Sequence, residues 1–237
     1  MENLYELLEE AVHKVPTKGI VIVNNSQCDL FLTYSELREK SKKIAFILKS
    51  YYQVKPASKI IISVEKSEDF ILLFWGCVMA GCIPVLMPSV QFSNKNSIAF
   101  ERLKNAINIL GVVTLITNDI NLFEYYKSSF HKAVYFEDIM KQLDLLQDYF
   151  LHIPKRDGED LCVIQFSSGS TGTPKGVMLN FNNILANLKI KTLADEITTE
   201  DTLIHWMPYF HDYGLFGNHL VLSLIHISEP TRLRCIS

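Results

Sequence analysis

The 237-residue sequence lacks a field of basic charge: 23 Lys and Arg stand against 26 Asp and Glu, a net charge of −3. That excludes the cationic surface by which a protein holds a nucleic-acid backbone regardless of sequence. No apolar run reaches the roughly 18–20 residues that a membrane-spanning helix needs. The best candidate, residues 70–90, is interrupted by Gly76, Gly81, Pro84 and Pro88. Cysteines are few, odd in number and without metal-ligand spacing (Cys28, Cys77, Cys82, Cys162 and Cys235). Cys77 and Cys82 fall in an apolar segment and read as buried thiols, and the pattern suits a reducing cytoplasm. The first ten residues are acidic and amphipathic, unlike a signal peptide. There is no internal repeat and no low-complexity segment.

What is present is a core-forming chain, 48% hydrophobic, in which helical and extended patterns alternate. Helices are expected over 2–14, 34–51, 67–80, 100–110, 136–150 and 182–191. Strands are expected over 19–23, 59–64, 83–87, 111–117, 132–136 and from Leu161 onward, with a turn at 24–26. Thr33 and Glu36 have capping-box spacing at the start of the second helix. Ser67 or a residue before it caps the third, which ends near Gly81. This order predicts one α/β domain with mostly parallel sheets flanked by helices.

The most informative segment follows the strand at Leu161. Residues 165–176 read QFSSGSTGTPKG. Glycines let backbone N–H groups approach an anion, hydroxyls add donors and Lys175 adds charge, so the segment reads as a phosphate-holding loop. A flexible Gly/Ser linker is the competing reading, but linkers rarely place Pro-Lys-Gly between two apolar segments. The spacing excludes a Walker A loop, because Gly169 and Gly172 are three apart and Lys175 precedes Gly176. It also excludes the dinucleotide fingerprint.

A second segment, residues 205–215, reads HWMPYFHDYGL, with Pro208, His211 and Gly214 at its core. Alone, His211 would read as an ordinary buried histidine. Together the two segments resemble the signatures of adenylate-forming enzymes: acyl-CoA synthetases, peptide-synthetase adenylation domains, luciferases and fatty acyl-AMP ligases. Two weaker likenesses precede them in family order, at 32–37 (LTYSEL) and 75–85 (WGCVMAGCIPV). The pattern around Trp206 and His211 is most similar to fatty acyl-AMP ligases and acyl-loading modules. Phe181 departs from the family, which often has histidine near that position.

The resemblance implies the first part of the large N-terminal domain of such an enzyme. It implies that Ser167, Ser168, Gly169, Ser170, Thr171, Gly172, Lys175 and Gly176 hold the phosphates of ATP. Thr171 is the candidate contact to Mg²⁺. Lys175 and His211 are the candidate catalytic residues. Trp206, Pro208, His211, Asp212 and Gly214 would border a carboxylic acid, expected to be a fatty one. The acceptor would be the thiol of an acyl carrier protein or of CoA, and a non-catalytic nucleotide-binding relative is the reading from another class. The family's metal-binding glutamate, ribose-binding aspartate, hinge and catalytic lysine all lie beyond residue 221, so this polypeptide is expected to be inactive alone. Residues 222–237 resemble a translated transposase-type sequencing adapter, which places the boundary of native adenylation-domain sequence at 1–221.

Overall fold

The computed structural model describes residues 4–23, 30–128, 132–167, 175–198 and 201–225. Helix α1 (Leu4–Lys14) turns Leu4, Leu7, Leu8 and Ala11 inward, the stripe its sequence predicts. An antiparallel hairpin follows, β1 (Gly19–Ile22) and β2 (Leu30–Thr33), pairing Gly19 with Thr33 and Ile22 with Leu30. Helix α2 (Tyr34–Ser50) opens on the expected capping box. The Glu36 N–H donates to Thr33 Oγ1 at 3.1 Å, and the Thr33 N–H donates to Glu36 Oε2 at 2.9 Å.

From there strands and helices alternate. The order is β3 (Lys59–Ser63), α3 (Ser67–Met79), β4 (Ile83–Leu86), α4 (Ile98–Leu110), β5 (Thr114–Thr117), α5 (Ile120–Lys127), β6 (Lys132–Tyr135) and α6 (Phe136–Leu145). Then come β7 (Leu161–Ser167), β8 (Lys175–Asn180) and α7 (Phe181–Ala194). Strands β3 to β8 form one sheet in the order β6-β5-β3-β4-β7-β8, parallel except for the antiparallel β7–β8 pair at one edge.

The central strands are buried on both faces, so they read as continuous apolar runs without alternation. In β3, Ile60 and Ile62 pack toward α1, α2 and α3, while Ile61 packs with the residues of α4 and α5. Gly76 lets α3 lie close against α2: a Cβ there would stand 2.5 Å from Ile44 Cγ2. In β7 a bulge between Leu161 and Val163 puts Cys162 and Val163 in the same core, with Ile164 in the other. The thiols of Cys77, Cys82 and Cys162 are buried and free, and burial pushes Cys82 up to about 12.

The cap of α3 is Lys66, the residue before Ser67, as the sequence allows; it makes no side-chain cap bond, and Glu68 and Asp69 fill the first turn. Other boundaries differ from expectation. Helix α6 stops at Leu145, and the chain to Asp160 runs as a strap tied by cations to carbonyls. Lys43 Nζ donates to the Leu146 carbonyl at 2.9 Å and Lys49 Nζ to that of His152 at 2.6 Å. Arg156 bonds the carbonyls of Gly81 and Leu161, both at 2.9 Å. These bonds fix backbone that has left the helical ladder and has no strand partner. Strand β5 begins at Thr114, three residues later than its apolar run suggests. Among the described residues no helix is long and apolar enough to cross a membrane.

Two measurements test this account. Thr33→Ala removes a capping bond and is expected to cost about 1 kcal/mol, seen as a Tm lower by roughly 2–4 °C. No loss would mean that the box does not hold α2. Asp69 lies at the start of α3, where burial first, then Glu68 and Glu137, raise its carboxyl to about 6 against the opposing pull of Lys66. The folded state therefore binds the proton more tightly than the unfolded chain. This group's contribution is fully present below the unfolded value and is lost as pH rises through the folded one. Asp69→Asn is expected to raise Tm at pH 7.5 relative to the parent chain, the gain shrinking toward pH 4. A gain that grew on acidification would overturn the assignment.

Candidate active site

Ligands of open α/β sheets bind beyond the carboxyl ends of the strands, where loops diverge. A cleft of about 820 Å³ lies there. Its floor is Leu86, Met87 and Pro88 at the end of β4, and Gln165 and Phe166 toward the end of β7. Strand β8 contributes Val177 and Leu179; α7 contributes Asn183, Ile184, Asn187 and Lys191; α4 contributes Arg102. The remaining wall is Phe210, His211, Asp212, Tyr213, Phe216 and Gly217.

The phosphate-loop residues divide into those the structure places and those it does not. Ser167 ends β7 and pairs in register with Lys175, the first residue of β8, while Phe166 pairs with Gly176. Lys175 and Gly176 are exposed at this end of the sheet, and Lys175 makes no ion pair with a described residue. Ser168, Gly169, Ser170, Thr171 and Gly172 lie outside the described residues. The antiparallel β7–β8 pairing brings Ser167 and Lys175 together beside Gln165, Phe166 and Val177 of the cleft.

The second segment is organised by a short helix, α8 (Asp212–Gly214), capped by His211. It continues through a π segment (Leu215–His219) into α9 (Leu220–Ile225). His211 Nδ1 lies 2.6 Å from Asp212 Oδ1. A contact this short with a carboxylate needs a proton on Nδ1, which donates to Asp212. The 3.4 Å approach of the Tyr213 N–H to the same nitrogen is then only a contact, because that N–H donates to Asp212 Oδ1 at 2.7 Å. Asp212 thus fixes the tautomer, and His211 stands in the wall of the cleft.

Of the residues expected around the acid, His211 and Asp212 line the cleft and Trp206, Pro208 and Gly214 do not. Trp206 is 89% exposed. The Pro208 carbonyl accepts the His211 N–H at 3.0 Å. Gly214 allows the turn to close: a Cβ on it would meet the Pro208 carbonyl oxygen at 2.3 Å. Behind the wall, Trp75 Nε1 donates to His219 Nε2 at 2.9 Å, both side chains buried.

Arg102, Asn183, Asn187 and Lys191 line the cleft without having been marked by any motif. The three on α7 are spaced four apart, a polar stripe visible in the sequence once the helix is placed. Lys191 pairs with Asp195 and stands 5.4 Å from the Tyr213 ring. Arg102 makes no ion pair with a described residue, and no sequence pattern singles it out.

Comparison with known proteins accords with this geometry. The chain is 26% identical over 230 residues to nonribosomal peptide synthetase pngA of Aspergillus terreus, covering 96% of this chain and 24% of that protein. It is 28% identical over 222 residues to the medium-chain-fatty-acid–[acyl-carrier-protein] ligase JamA of Moorena producens, covering 90% of this chain and 36% of JamA. Among solved structures, McyG A-PCP complexed with phenylalanyl-adenylate matches with a TM-score of 0.85 and 25% identity, over 96% of this chain and 36% of that one. The fatty acyl-adenylate ligase from L. pneumophila shares the fold, with a TM-score of 0.78 at 24% identity over 96% of this chain and 39% of that one. The chain spans about a quarter to a third of the length of these curated relatives. The model of the AMP-binding enzyme family matches residues 8–226, and the chain belongs to that family.

Proposed function

We propose that this chain supplies part of a site that joins a carboxylic acid to AMP. A carboxylate oxygen attacks the α-phosphorus of ATP, the bond to the β-phosphate oxygen breaks, and acyl-AMP and pyrophosphate form. The acyl group then passes to a thiol. The acid we infer is a fatty one, and the acceptor a carrier-protein thiol, with CoA the alternative. JamA, named for acylating a carrier protein, supports that choice of acceptor.

The observation that carries the reading is the composition of the cleft beside the phosphate segment. Leu86, Met87, Pro88, Phe166, Val177, Leu179, Ile184, Phe210 and Phe216 supply the apolar half of its lining residues, while Arg102, Gln165, Asn183, Asn187, Lys191, His211 and Asp212 bring polar groups to it. Apolar surface beside placed polar groups suits an acyl chain with a charged head. Ser167, Ser168, Gly169, Ser170, Thr171, Gly172, Lys175 and Gly176 would hold phosphate oxygens, Lys175 by its charge. His211, held by Asp212, would orient the carboxylate through Nε2. Mg²⁺ supplies charge neutralisation when bound, and the residues present suit it only through Thr171 and the phosphate oxygens themselves.

Binding to the isolated chain tests the reading. A nonhydrolysable dodecanoyl-AMP analogue is expected to bind at least tenfold more tightly than its octanoyl counterpart, since each buried methylene contributes up to about 0.8 kcal/mol. Lys175→Ala is expected to weaken ATP binding on the order of tenfold, as loss of one charged hydrogen bond does. A phenylalanyl-AMP analogue bound more tightly than the dodecanoyl one would overturn the substrate class. The chain alone is expected to show no ATP–pyrophosphate exchange with dodecanoate; exchange at the rate of a full-length homologue would overturn the proposed dependence on residues absent here.

A further inference from the structure

The bond between Trp75 and His219 takes no part in the chemistry proposed above, yet three elements meet at it. Helix α3 supplies the donor, Trp75 Nε1, and the π segment supplies the acceptor, His219 Nε2, at 2.9 Å. Segment 201–211 supplies Tyr209, edge-on to the His219 ring at 5.6 Å between centroids, and His205, edge-on to Tyr209 at 5.2 Å. The titratable groups facing His219 are thus His205 and Tyr209.

An imidazole that accepts at Nε2 is neutral, because imidazolium has two donors and no acceptor. Burial first, and the neighbouring His205 second, push His219 down to about 3, so the acceptor persists at any ordinary pH. The folded chain therefore holds His219 neutral, and stability from this group is lost as pH falls below the unfolded value.

His219 also closes the π segment. A π turn holds more residues than an α turn and leaves carbonyls outside the regular ladder. Asn218 Nδ2 takes up the Tyr213 carbonyl at 2.7 Å, and the Leu220 N–H bonds back to Leu215. The bond from Trp75 adds a tertiary tie at the last residue of this turn. The same run sets Tyr213, Phe216 and Gly217 in the wall of the cleft.

We propose that His219 is a positioning residue of the cleft: by accepting from Trp75 it fastens the π segment to α3 and sets where Tyr213, Phe216 and Gly217 stand. The consequence for acyl-adenylate binding rests on the function proposed above; the placement of the wall does not.

The chain's two tryptophans make the bond directly readable. With ¹⁵N-tryptophan, one indole N–H signal is expected far downfield and protected from exchange, and it persists in Trp206→Phe. His219→Leu is expected to abolish that shift, cut protection more than tenfold and move the Gly217 amide signal. Trp75→Phe should move the Gly217 signal the same way, and His219→Gln, which keeps an acceptor, should restore it toward the parent position. Affinity for the dodecanoyl-AMP analogue should fall about tenfold in His219→Leu, yet stay unchanged in Thr33→Ala, a destabilised control remote from the wall. If His219→Leu does not fold, Trp75→Phe carries the Gly217 and affinity readings. A Gly217 signal unmoved in both folded variants overturns the proposal. Failure of the parent chain to bind the analogue, with the Gly217 shifts as expected, overturns the functional reading and leaves the positioning role standing.

Discussion

Burial of the central sheet on both faces governs the rest of this molecule. Strands β3, β4 and β5 carry apolar side chains above and below, so helices must cover each side. The chain does this by stepping from β3 to β4 through α3, then returning past β3 to β5 through α4. Once both faces are closed, the carboxyl ends of the strands are where a ligand can meet backbone and loops together. The cleft at the ends of β4 and β7 follows from that closure. So does the pairing of Ser167 with Lys175 at that edge of the sheet.

The two histidines of the wall divide polar and apolar labour. His211 is half exposed, tied through Nδ1 to a carboxylate, and lines the cleft. His219 is buried, has its Nε2 occupied by an indole N–H, and stays neutral. They are eight residues apart on one helical run, and the widened turn between them separates their environments. A single regular helix would have to satisfy both with one phase of 3.6 residues per turn.

Much of this was legible from residues alone, for reasons specific to each element. Helix α2 announces itself by Thr33 and Glu36, because caps are local chemistry. Strands β3 and β4 show as short apolar runs bounded by turns. Strand β8 is concealed: Lys175 to Met178 are exposed, so its sequence carries no burial alternation, and Pro174-Lys175-Gly176 reads as loop. Helix α5 buries only Leu122 and Tyr126, too narrow a stripe to stand out. Strand β2 buries only Leu32. The run from Asp212 to Ile225 escapes a periodicity search because its π turn breaks the period.

The site shows the same division. Motifs mark residues whose chemistry is bound to local backbone, as glycine and hydroxyl spacing marks the loop and a Pro-x-x-His-x-x-Gly core marks the turn. They do not separate members that line the cleft from members that shape the turn: Gly214 lets the Pro208 carbonyl approach, and Trp206 is exposed in the described chain. Arg102, which reaches the cleft from α4, carries no local signature, because only tertiary packing brings it there. His219 belongs with it. Its partner Trp75 is 144 positions away, and no spacing rule links a histidine in one apolar helix to a tryptophan in another. A wall made of locally legible residues is therefore held in place by one that is legible only in three dimensions.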